Sequence, residues 1–116
     1  MKSRESLVRL KSFQVNDKRR QLDQLRMMMA EFERMSQDLE AQIAFEEKKS
    51  GINDPNHFAY PTFAKSARQR AENLVGSIKE LKVQQDAAEL ALEEAEAEYA
   101  KAAALEERDN AHKMRA

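Results

Sequence analysis

Cysteine is absent from the chain, so no disulfide framework, thiolate metal site or catalytic thiol is available to it. Such a chain is at home in a reducing cytoplasm. Proline and glycine are scarce, two of each in 116 residues, and aromatics make up only 6%. A β-sandwich, a barrel or a βαβ unit needs a turn every dozen residues or so, and this sequence has too little punctuation to supply them. No excess of either charge sign exists, because 20 basic side chains nearly balance 21 acidic ones. A bulk positive field of the kind that favours nucleic acid or an anionic membrane is therefore missing. The opening MKSRESLVRLKSF has no apolar stretch of the signal-peptide kind, and no apolar run approaches the roughly 18 residues of a membrane span.

What the chain does have is charge, 35% of residues, in a helix-forming background. The one dense cluster of helix breakers is SGINDPNHFAYPT, from Ser50 to Thr62, which holds both prolines and one glycine. It divides the chain into an arm from about residue 3 to 49 and a second from about 63 to 112, the whole forming a single domain. Lys48 and Lys49 suit the carbonyl end of the first helix, and Gly51 suits the left-handed residue that closes it. Thr62 is the expected N-cap of the second helix, and Asp54 before Pro55 is expected to cap an isolated turn inside the loop. Arms of about 45 to 50 residues reach roughly 70 Å, a length that implies a coiled coil.

Heptad spacing supports that reading. In the second arm it falls on Ala71, Leu74, Ile78, Leu81, Gln85, Ala88, Leu92, Ala95, Tyr99 and Ala102, with Gln85 alone polar. In the first it falls on Val8, Lys11, Val15, Lys18, Leu22, Leu25, Met29, Phe32, Ser36, Leu39 and Ile43, so lysines interrupt its N-terminal third. Folding one arm back on the other pairs positions whose numbers sum to about 113, such as Leu39 with Leu74 and Val15 with Tyr99. The same register sets Lys18, Arg19 and Arg20 opposite Glu93, Glu94 and Glu96. The expected fold is all-α, a long antiparallel two-helix coiled-coil hairpin.

Function in such a fold has to come from its surface, and three sets of apolar residues lie outside the seam. Gly76, Val83, Leu90, Ala97 and Ala104 occupy the heptad position opposite the core, where they either receive another helix or are scattered exposed residues. Leu7, Leu10 and Phe13, with Met27 and Met28, widen the apolar face of the first arm. They either form a partner groove or mark a local phase change that brings Leu7 and Leu10 into the seam. At the loop, Ile52, Phe58, Tyr60 and Phe63 divide between two roles: Phe58 and Phe63 plug the last layer at Ile43 and Ala71, or the aromatics form an exposed contact.

No catalytic constellation is legible. His57 and His112 lie far apart, no carboxylates and histidines repeat at ligand spacing, and Gly76 stands outside any phosphate-binding loop. Glu93, Glu94, Glu106 and Glu107 lie on a solvated helix with no pocket to tune a pKa. Neither an enzymatic activity nor a cofactor is expected. Arg19 and Arg20 have acids opposite them, a poor footprint for nucleic acid.

The opening ESLVRLKSFQVNDKRRQLDQL, the methionine-containing first helix, the Pro-containing turn and the Ala/Glu-rich second helix together resemble the FliJ family of flagellar export proteins, in the alpha-proteobacterial style. The resemblance spans nearly the whole chain and rests on architecture and on the pattern around Leu7, Leu10, Arg19 and Arg20. The loop NDPNHFAYPTF is not a feature of the better-known enteric members, so their contact residues do not transfer. The resemblance implies a non-enzymatic accessory of the bacterial type III export apparatus, similar to the central stalk of rotary ATPases. Its expected partners are the flagellar export ATPase ring, the export gate component FlhA and substrate chaperones, at the cytoplasmic face of the apparatus. Two other readings compete: a structural coiled-coil adaptor that self-associates weakly through Val83 and Leu90, and a prefoldin-like holdase. The holdase is the weakest, because no alternating strand pattern appears near the helix ends.

Overall fold

The structure is a computed structural model that describes residues 2–115. Two helices account for nearly all of it, α1 (Lys2–Ser50) and α2 (Thr62–Arg115). Their continuity follows from composition: neither proline nor glycine interrupts α1, and Gly76 alone interrupts α2. The helices run antiparallel, and the fold is the two-helix coiled-coil hairpin that the heptads describe. No helix is long and apolar enough to cross a membrane among the described residues.

The connection, residues 51–61, is shorter by one residue at each end than the breaker cluster suggests. Gly51 has φ of 75°, and its N–H donates to the Glu47 carbonyl at 2.9 Å, the left-handed closure that only a residue without Cβ adopts cheaply. Ser50 adds a second stop, its hydroxyl donating to the same carbonyl at 3.2 Å and accepting from the Ile52 N–H at 3.1 Å. Asp54 does cap a turn: its Oδ1 accepts from the Asn56 N–H and its carbonyl from the His57 N–H, both at 3.0 Å. The N-cap of α2 lies one residue earlier than expected. The Pro61 carbonyl accepts the first helical bond, from the Lys65 N–H at 3.0 Å, which makes Thr62 the first helical residue and Pro61 the cap.

Contacts gather the described residues into two units, the first made of α1 up to Leu25 and α2 from Gln84 onward, the second of everything between. In the first unit Val15, Leu22, Ala95 and Ala102 are buried, and Val8, Leu25, Gln85, Ala88 and Leu92 partly so. Lys11 and Lys18 also sit partly buried at their heptad positions. Tyr99 departs from expectation: it is 38% exposed, so its ring leans out of the layer it was expected to fill. Ion pairs join the two helices in antiparallel order, among them Arg4 Nε to Asp109 at 2.7 Å, Lys11 Nζ to Glu98 at 2.8 Å and Arg19 Nη2 to Glu96 at 3.3 Å.

In the second unit the core is Leu39, Ile43, Ala67 and Leu74, with Phe32, Ala71 and Ile78 packed against it. Leu81 is buried as well. The seam continues one heptad closer to the loop than Ala71, through Ala67 and the fully buried Ala64. Tyr60 in the loop is buried too, at 7% exposure. The expectation that Phe58 and Phe63 form the plug is therefore corrected: both are exposed, and the buried aromatic is Tyr60. The reason is polar. A buried phenol needs hydrogen-bond partners, and Glu47 and Arg68 supply them where a phenylalanine would leave them facing a bare ring.

Candidate functional site

Leu7, Leu10 and Phe13 follow one another at spacings of three on α1, so each pair is adjacent on the helix surface. All three are exposed, Phe13 to 62%. Val8 and Lys11 hold the seam positions beside them, so the strict heptad persists and Leu7 and Leu10 stay outside it. Leu105 on α2, also in the first unit, is exposed too. Phe13 forms one wall of a groove of about 450 Å³ whose other sides are Gln14, Asp17 and Lys18 on α1 and Ala91, Glu94, Ala95 and Glu98 on α2.

Charge around this groove is partly spent inside the unit. Lys11 hydrogen-bonds Glu98 and holds its carboxyl below the ordinary carboxylate range. Arg19 reaches Glu96, as the register from the sequence anticipates, whereas Arg20 turns to Asp17 on its own helix at 3.8 Å. Both arginines are exposed, and pairs of this kind are worth about 0 to 1 kcal/mol each, enough to favour a register and too little to hold a fold. Leu90, in the same unit, is exposed on α2 together with Ala97 and Ala104.

In the second unit Met27 and Met28 on α1 and Gly76 and Val83 on α2 are exposed. Sequence reasoning passed over Met35, Phe45 and Val75, which are exposed here as well. Met35 lies one heptad after Met28 and shares its position, whereas Phe45, between Ala44 and Glu46, and Val75, between Leu74 and Gly76, extend no repeated stripe.

The connection brings together what the sequence holds apart. Glu47 stands on the last turn of α1, Tyr60 in the loop and Arg68 on the second turn of α2. The Tyr60 hydroxyl donates to Glu47 Oε2 at 2.7 Å and accepts from Arg68 Nε at 2.8 Å, while Arg68 Nη2 donates to the same carboxylate oxygen at 2.8 Å. The triangle is closed. Hydrogen bonds from Arg68 first and Tyr60 second hold the Glu47 carboxyl below its ordinary value, and the same contacts raise the guanidinium above its own. Of the aromatics singled out at the loop, Tyr60 is thus committed to the fold and Phe58 is presented to solvent, at 96% exposure, with Phe63 at the start of α2 exposed as well.

Among the described residues no three histidine, aspartate or glutamate side chains gather as metal ligands do. No family model, no curated protein and no solved structure matches the chain.

Proposed function

We propose that the protein is a non-enzymatic accessory of the bacterial flagellar type III export apparatus, coupling to the export ATPase ring as a central stalk and escorting substrate chaperones to the gate component FlhA. The observation that carries the reading is the exposed run Leu7, Leu10 and Phe13 on a helix whose seam positions are already filled. Exposed leucines and a phenylalanine at adjacent helical positions favour a protein partner over water. The resemblance of the opening segment to the FliJ family supplies the identity of that partner. In this reading the protein works peripherally at the cytoplasmic face of the export apparatus and acts by mechanical and allosteric coupling, with no chemistry of its own.

The test is ATP hydrolysis by the flagellar export ATPase from the same source, titrated with this protein and with a variant carrying Leu7→Ala, Leu10→Ala and Phe13→Ala together. Stimulation by the parent protein and its loss in the variant are the expected results. No stimulation and no co-elution with the ATPase overturns the proposal. A second reading, a self-associating adaptor, is favoured by the exposure of Val83 and Leu90. Sedimentation equilibrium separates it: a mass that rises with concentration in the parent and stays monomeric in Val83→Glu or Leu90→Glu supports the adaptor.

A further inference from the structure

Phe58 is the most exposed large apolar side chain described, yet it is held on a pinned loop. Its ring stacks on His57, with centroids 4.7 Å apart and planes 22° from parallel. On either side the backbone is tied down. The His57 carbonyl accepts from the Tyr60 N–H and the His57 Nδ1 from the Ala59 N–H, each at 3.0 Å, and Tyr60 itself is fixed by Glu47 and Arg68. An aromatic carried this way gives a partner large contact area while losing little conformational freedom on binding.

Beside Phe58 lies a groove of about 620 Å³, bounded by His57 and Phe58 on the loop side and by Lys65, Arg68, Gln69 and Glu72 on α2. Its charges are unequal in availability. Arg68 is already satisfied by Glu47 and Tyr60. Lys65, on the first turn of α2 beside the loop, has no ion-pair partner among the described residues. Neither has Glu72, but it lies two turns further on, roughly 10 Å along the helix. The available charge next to the exposed ring is therefore positive.

We propose that this groove is a docking site for an acidic and apolar segment of another protein, an apolar side chain resting on Phe58 and an adjacent carboxylate pairing with Lys65. It lies in the second unit, so it is a separate contact from the one assigned to Leu7, Leu10 and Phe13 and stands or falls independently of it.

The test is an amide NMR titration of the full chain with a terminally blocked peptide of alternating glutamate and leucine, and with its lysine and leucine counterpart. The glutamate peptide is expected to shift the amides of Phe58, Ala59, Lys65 and Gln69. Phe58→Ala is expected to weaken its binding about tenfold or more, Lys65→Glu to transfer preference to the lysine peptide, and Glu72→Lys to tighten the glutamate peptide. These substitutions are at exposed positions or at the groove rim, and circular dichroism melts matching the parent show that each variant is folded. No shift at the tip at millimolar peptide, equal binding of the two peptides, or unchanged affinity in Phe58→Ala each overturns the proposal. Tip amides that move with protein concentration alone identify a second copy of this chain as the occupant and overturn it as well.

Discussion

The Tyr60 hydroxyl bridges two helices by accepting a hydrogen bond from Arg68 Nε at 2.8 Å while donating one to Glu47. Tyr60 is also buried, at 7% exposure, so burial and polar contact converge on one residue. The two contributions separate by substitution. Tyr60→Phe keeps the ring and leaves Glu47 and Arg68 paired with each other, and is expected to cost about 1 kcal/mol. Tyr60→Ala also opens the end of the core and is expected to cost about 3 kcal/mol or more. Urea denaturation followed by circular dichroism measures both, and equal losses would show that the ring contributes nothing beyond its hydroxyl.

The same triangle gives a pH signature. Glu47 has its carboxyl held below the ordinary 4.5 by Arg68 and Tyr60, so the folded state favours the charged form more than the unfolded chain does. A depressed carboxylate contributes its stabilisation in full above the unfolded value and loses it as pH falls through the folded one. The melting temperature of the parent is therefore expected to exceed that of Glu47→Gln at neutral pH, with the gap constant down to about pH 5 and closing below about 4.5. A gap that persists unchanged at pH 3 would mean that the ionised carboxylate is not what stabilises this end.

The seam was legible in the sequence, as were the Gly51 closure and the Asp54 cap, but which aromatic turns inward at the tip was not, for a physical reason. Seam positions repeat, so a local error at Lys11 or Ser36 is outvoted by the apolar residues at the same spacing, and the register of the first unit can be checked against charge, as Arg19 and Glu96 show. Nothing repeats in the loop. Whether Phe58, Tyr60 or Phe63 turns inward depends on Glu47 and Arg68, which lie 13 and 8 residues from Tyr60 and become its neighbours only after the chain has turned. A buried phenol beside a carboxylate and a guanidinium is a better signal than aromatic size, but composition alone does not bring those three together. Ala64 and Ala67 escape the pattern for a related reason: alanine is common in exposed helix positions, and its burial declares itself only where two helices meet.

The two glycines should respond in opposite directions. Gly76 lies within α2, and a Cβ added there meets nothing within 4 Å, so Gly76→Ala gains helix propensity without a clash and is expected to stabilise by about 0.8 to 1 kcal/mol. Gly51 also has open space around it, but its φ of +75° is the left-handed closure of α1, and Gly51→Ala is expected to destabilise by about 1 kcal/mol. Thermal melts of the two variants give the signs directly. Stabilisation at both would mean that α1 closes without the left-handed residue.

A last prediction compares leucines of similar sequence context and different position. Leu22 in the first unit and Leu81 in the second are almost fully buried, whereas Leu90 is more than half exposed. Removing a buried leucine side chain loses its transfer free energy and leaves a void that a seam with few layers closes poorly, so Leu22→Ala and Leu81→Ala are each expected to cost about 2 to 4 kcal/mol. Leu90→Ala shortens a side chain that is already more than half in water and raises helix propensity slightly, and is expected to change stability by less than about 0.5 kcal/mol. Denaturation at two protein concentrations sharpens the comparison. A Leu90→Ala loss that appears only at the higher concentration is the mark of an assembly that buries Leu90, because a contact made within one chain contributes the same at any dilution. A loss at both concentrations would place Leu90 against its own chain, contrary to its exposure here.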